Sequence, residues 1–120
     1  MQHIGIDIIE IARIERAIAR WGECFLQRIY TDSELRLSRK KPSSLAARFA
    51  GKEAVIKAFG TQNKGIGWRD IEILSDSSGK PLVYLHGKAQ NQANSLGLTG
   101  LAISLSHSKE YAIALVTSET

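Results

Sequence analysis

Sulfur and proline are scarce in this 120-residue chain, which has one cysteine, one methionine and two prolines. The single thiol, Cys24, cannot close an internal disulfide, and no Cys pattern suggests a metal-thiolate site. A reducing, intracellular and cytoplasmic setting is the expectation. No stretch approaches the ~18 apolar residues of a membrane span, so no membrane partner is expected. The opening MQHIGIDIIEI carries two acids and no basic leader, unlike a secretory signal. Aromatic residues are 7% of the chain and do not interleave with basic ones, which argues against a nucleic-acid surface. Repeats, low-complexity tails and linkers are absent. There is no Walker-A pattern, and the Gly65 to Gly67 GxG is too short to be a dinucleotide fingerprint.

What is present fits one globular domain over residues 1–120: 43% hydrophobic content, enough for one modest core. The net charge is +4 and the pI near 9.4. Anionic partners are therefore favoured, whether nucleic acid, phosphorylated small molecule or acidic protein.

Residues 3–9 alternate as a strand, with Ile4, Ile6 and Ile8 on one face and His3, Gly5, Asp7 and Ile9 on the other. Asp is disfavoured in strands, so Asp7 sits either at a wet edge or at a site. From Glu10 to about Tyr30 the spacing is helical, and Ile11, Ile14, Ile18, Trp21 and Phe25 form a core-facing stripe. Gly22 interrupts or ends that helix. Arg13, Arg16 and Arg20 share one sector with Ala17 and Cys24. That sector reads as a solvated basic face or as a dock for an acidic amphipathic partner.

Thr31 to Glu34 has capping-box spacing and opens a short helix to about Arg39. A basic cluster, Arg39 to Lys41, and a break at Pro42 to Ser44 lead to a helix over 45–59, stopped by Gly60. At ~100° per residue, Ala46, Phe49, Ala50, Glu53, Ile56 and Lys57 share one face. Arg48 and Lys52 lie on another. Strands are predicted over 68–76 and 82–86 around a turn at 77–81, then a helix over 87–96 closed by Gly97. Two more strands, 101–105 and 111–116, have apolar residues on both faces and read as central and covered. The class is α+β, with helices packed on an antiparallel sheet.

Glu53 and Lys57, one turn apart on an apolar face, are either an ordinary ion pair or groups held for use. Asp7 and Glu53 are the two acids that patterning puts in awkward, potentially buried settings. Brought together, they would suit Mg²⁺ holding a phosphate substrate. Lys57, Arg48, Lys52 and His107 could supply the positive field that phosphoryl transfer needs. His107, between Ser106 and Ser108, is also readable as a turn histidine in water.

Several segments match a known family in order and over nearly the whole chain. They are Gly5-Ile6-Asp7, then Arg48-Phe49-Ala50-Gly51-Lys52-Glu53-Ala54 continuing to Lys57-Ala58-Phe59-Gly60. Gly65-Ile66-Gly67-Trp68, Asp70-Ile71-Glu72, Gly79-Lys80-Pro81 and Ser104-Leu105-Ser106-His107 follow. On these residues the chain resembles the holo-acyl-carrier-protein synthases, the short, trimeric type of 4′-phosphopantetheinyl transferase. The resemblance implies that family's fold, and transfer of 4′-phosphopantetheine from coenzyme A to a serine of apo-acyl carrier protein. Adenosine 3′,5′-bisphosphate would be released, in the service of fatty acid biosynthesis.

By the same resemblance Asp7 and Glu53 are Mg²⁺ ligands, and Glu53 and Lys57 are catalytic. Arg48, Lys57 and His107 contact coenzyme A, and Arg13, Arg16 and Arg20 dock the carrier. The enzyme would be a homotrimer with sites between subunits. Thr61-Gln62-Asn63 departs from the family, which often has another glycine there. A non-enzymatic basic adaptor, binding acidic proteins through the Arg13 face, is the alternative from another class. For it Asp7 and Glu53 would be expendable.

Overall fold

The computed structural model describes residues 1–60 and 65–120. The Thr61-Gln62-Asn63 departure lies outside the described residues. The elements follow as β1 (Gln2–Glu10), α1 (Ile11–Trp21), α2 (Glu23–Ile29), α3 (Asp32–Ser38) and α4 (Pro42–Phe59). Next come β2 (Ile71–Ser75), β3 (Pro81–Leu85), α5 (Gly87–Leu96), β4 (Thr99–His107) and β5 (Tyr111–Glu119). β1, β5 and β4 form one antiparallel sheet in that order, and β2 and β3 pair as a separate hairpin. The expected α+β class holds, with the sheet in two pieces.

α4 is the centre of the molecule. It packs along β1 and β5 on one side and reaches β2 and β4 on others. Small residues make this possible. A side chain at Gly5 would overlap the Ala54 carbonyl oxygen and press on the Ala58 amide, so β1 lies directly on the α4 backbone. At Gly51 a methyl would run into the Ile73 side chain. The GID and AGKEA motifs are therefore two halves of one close approach.

Burial revises several sequence expectations. The Ile4, Ile6 and Ile8 face of β1 points to solvent, at 60, 52 and 60% exposure, while Gly5 and Ile9 face α4. Polarity alone does not set the inward face here, because only Gly5 allows the helix so near. On α4, nearly every position is buried except the flank bearing Phe49, Glu53, Ile56 and Lys57. The face that periodicity marked is thus divided, with Ala46 and Ala50 in the core and Phe49, Glu53, Ile56 and Lys57 on the partly open flank.

The stripe on the first helices also divides. Ile11 and Ile14 are core, but Trp21 is 56% exposed beside Gly22, which ends α1 with φ of 53°. α2 then restarts the chain in a new direction with Leu26 and Ile29 inward.

Boundaries shift for local reasons. α4 begins at Pro42, whose missing N–H costs nothing at the first helical position. Trp68–Asp70 is a single 3₁₀ turn, so β2 starts at Ile71. β4 runs two residues beyond each expected end and β5 three beyond its expected C-terminal one, and β5 alone is central. β4 is an edge strand with Ala102, Ser104 and Ser106 exposed. The Thr31 capping box is present, with Thr31 N–H donating to Glu34 at 2.9 Å and Glu34 N–H donating to Thr31 at 3.2 Å.

Candidate active site

α4 carries two chemically different flanks, and the sequence spacing explains why. Arg48 and Glu53 are five residues apart, about 140° around the axis at 3.6 residues per turn. One flank is acidic with a cation beside it, and the other is basic.

On the first flank Asp7 projects from β1 toward α4, its side chain 18% exposed. Lys57 Nζ donates to Asp7 Oδ1 at 3.0 Å and to the Ile6 carbonyl at 2.9 Å. Of the two readings of the i,i+4 spacing, the ordinary pair is not formed: Lys57 pairs with Asp7 across the fold rather than with Glu53. Glu53 is half-buried next to both. Burial pushes its carboxyl above the usual range, the Asp7 charge pushes it further, and Lys57 opposes them. Two crowded carboxylates with one exposed ammonium make a site short of positive charge.

No group of three or more His, Cys, Asp or Glu residues able to hold a metal occurs among the described residues. A two-carboxylate donor set fits a hard cation that keeps several positions for water and phosphate oxygens, as Mg²⁺ does. It does not fit a structural zinc site.

The second flank opens on a groove of about 710 Å³, lined by Arg39, Lys41, Ser44, Arg48, Ser106 and His107 among others. Arg48 is 6% exposed, and its guanidinium is held at two of its nitrogens. Nε donates to the Ile73 carbonyl at 3.0 Å, and Nη1 donates to Ser44 Oγ at 2.6 Å. His107 ends β4 and is exposed, with Nδ1 3.3 Å from the Ser108 carbonyl oxygen. Basic side chains around serine hydroxyls are the chemistry that suits phosphate oxygens.

The register locates the two flanks relative to each other. Asp7 pairs with Ala114, which pairs with Leu105, two residues before His107. Asp7 and Leu105 thus lie two strands apart, about 10 Å, with α4 packed between the edges. Neither Asp7, Glu53 nor Lys57 lines the basic groove.

Lys52 is corrected outright. It is fully buried, its Nζ donating to Glu34 Oε1 at 2.8 Å, to the Trp68 carbonyl at 3.0 Å and to the Ile71 carbonyl. It cannot touch a phosphate directly. Glu34 was legible only as a helix cap. Caps usually lie in water, whereas this one is fully enclosed, so Asp7 and Glu53 are not the acids most removed from solvent. Arg39 and Lys41 were visible as a charge cluster, but no local pattern placed them on the groove. Arg13, Arg16 and Arg20 are exposed on α1, as their sector predicts. Arg20 also stacks 5.1 Å from the Trp21 ring.

The family model of the 4′-phosphopantetheinyl transferase superfamily matches residues 3–116. A holo-[acyl-carrier-protein] synthase from Dehalococcoides mccartyi strain CBDB1 is 52% identical, covering 99% of each chain. One from Herpetosiphon aurantiacus is 50% identical, over 93% of this chain and 94% of its own. Among solved structures, Helicobacter pylori holo-[acyl-carrier-protein] synthase in complex with coenzyme A superposes with a TM-score of 0.87. It is 37% identical and covers 97% of this chain and 99% of its own. The Neisseria meningitidis enzyme gives 0.89 at 34% identity, over 98% of each chain.

Proposed function

The chain belongs to the 4′-phosphopantetheinyl transferase superfamily, as a holo-[acyl-carrier-protein] synthase, and from that premise we propose how its two flanks divide the work. The enzyme transfers 4′-phosphopantetheine from coenzyme A to a serine of apo-acyl carrier protein and releases adenosine 3′,5′-bisphosphate. Residues 1–120 act as one transferase domain. The observation that carries the site assignment is the Asp7, Glu53 and Lys57 cluster, drawn from β1 and α4 to one point.

Asp7 and Glu53 would hold Mg²⁺, whose charge would serve there to neutralise a diphosphate. Lys57, already beside Asp7 and 53% exposed, turns its ammonium to the diphosphate and the departing oxygen. The carrier serine oxygen forms a bond to the phosphorus bearing pantetheine as the bond from that phosphorus to an oxygen of adenosine 3′,5′-bisphosphate breaks, and the serine proton is released to water. Arg48 and His107 hold the nucleotide phosphates in the basic groove.

A homotrimer brings these groups together. Within one protomer α4 stands between the acidic and basic flanks, so the two serve one coenzyme A most simply across a subunit boundary. The open apolar sheet face supports assembly: Ile4, Ile6 and Ile8 stand beside Leu115, itself 41% exposed. No helix among the described residues is long and apolar enough to cross a membrane. A cytoplasmic place in fatty acid biosynthesis fits the substrates.

The carrier docks on the exposed Arg13, Arg16 and Arg20 sector of α1. The Arg13→Ala/Arg16→Ala/Arg20→Ala variant tests this by steady-state kinetics with each substrate varied in turn. The KM for the carrier rises roughly tenfold or more, that for coenzyme A changes little, and salt lowers wild-type efficiency toward the variant's. Equal effects on both substrates would refute a docking helix.

A further inference from the structure

Among the described residues, the buried charged side chains are one acid, Glu34, and two bases, Lys52 and Arg48, of which Glu34 and Lys52 are fully enclosed while Arg48 is 6% exposed on the groove. Glu34 faces both bases, and its charge acts on each. Its two oxygens are already committed. Oε1 accepts from Lys52 Nζ and from Thr31 N–H, while Oε2 accepts from Ile73 N–H at 2.9 Å. The same residue, Ile73, accepts from Arg48 Nε on its carbonyl at 3.0 Å. One residue of β2 therefore links the carboxylate to the guanidinium without a direct ion pair between them. The half-buried Glu72 adds negative charge near Lys52, and is itself held by Thr31 at 2.6 Å and by exposed His86 at 3.0 Å.

We infer that Lys52 is a positioning residue for nucleotide binding: by serving as the counter-ion of Glu34, it leaves the charge of Arg48 available to the phosphates in the groove. The inference rests on the reading of that groove as the coenzyme A nucleotide site. Without Lys52, Arg48 is the one buried cation among the described residues left to balance Glu34. The guanidinium then answers to the buried carboxylate rather than to a ligand, although Lys52 never meets the ligand. Removing Glu34 has the opposite consequence, because both cations lose their internal partner and the groove becomes more positive.

The test measures adenosine 3′,5′-bisphosphate affinity by titration calorimetry and the KM for coenzyme A on the full chain. Lys52→Met weakens both by roughly tenfold, and kcat falls less than KM rises. Glu34→Gln/Lys52→Met, which removes both charges, returns the affinity to within about threefold of wild type. Glu34→Gln alone binds the nucleotide several-fold tighter, although it loses an internal ion pair. A role confined to holding the fold predicts instead that the double variant is at least as impaired as the single. That result, or unchanged affinity in folded Lys52→Met, overturns the inference.

If Lys52→Met does not fold, Glu34→Gln decides, and unchanged or weaker binding there counts against it. Arg48→Met separates this idea from the reading beneath it. If Arg48→Met binds the nucleotide as wild type does, the groove assignment fails. If Arg48→Met is weak and Lys52→Met is not, only the role of Lys52 fails.

Discussion

Glu53→Gln loses phosphopantetheine transfer by about a thousandfold or more, while its thermal midpoint stays level or rises. The substitution keeps the shape of the side chain and removes one of two negative charges that the fold crowds together beside α4. Burial and Asp7 both disfavour the ionised Glu53. The sign for stability follows from linkage. A carboxyl raised in the folded state contributes stability that is present below its unfolded pKa and is lost as pH climbs through the folded value. At neutral pH the ionised Glu53 therefore weakens the fold, and Gln relieves that. Function and stability move in opposite directions, as expected where a group is kept for chemistry. Circular dichroism melts and an assay with saturating Mg²⁺ check both halves. Activity near wild type under those conditions would remove the metal-site assignment.

Mixed oligomers give the second large effect. Glu53→Gln disables the acidic flank, and Arg48→Met/His107→Ala disables the basic groove. Each variant alone is nearly inactive. If each site takes its acidic flank from one protomer and its groove from the next, some boundaries in a co-expressed mixture combine two intact halves. Random assortment around a closed ring makes that about one boundary in four, so activity returns to roughly a quarter of wild type. A site contained within one chain predicts no recovery at any mixing ratio. The separation of the flanks by α4, and the absence of Asp7, Glu53 and Lys57 from the groove lining, motivate the first outcome.

Much of this arrangement was legible locally. Helix starts and stops followed their chemistry: the Thr31 capping box, Gly60 and Gly97 all end or begin helices where expected. Asp7 was marked by its misfit in a strand, and Glu53 by its apolar neighbours. Resemblance, not periodicity, joined them into one site. What periodicity missed depends on a contact that no local pattern encodes. Gly5 lets β1 lie on the α4 backbone, and that single approach turns the isoleucines outward and the aspartate inward. The same crowding buries α4 almost all round, so Lys52 becomes an internal strut although its position in the sequence resembles a surface lysine. Glu34 shows the converse. A capping glutamate is a local feature, but its enclosure by Lys52 and Ile73 arises from chain segments far away in sequence.

The most direct test of the central claim is the intact mass of an apo-acyl carrier protein after incubation with this protein, coenzyme A and Mg²⁺. The carrier gains the mass of one phosphopantetheine on its serine, adenosine 3′,5′-bisphosphate accumulates in equal amount, and a chelator prevents both. A carrier of unchanged mass with every acidic carrier tried would contradict the account and favour a basic adaptor, for which Asp7 and Glu53 are dispensable.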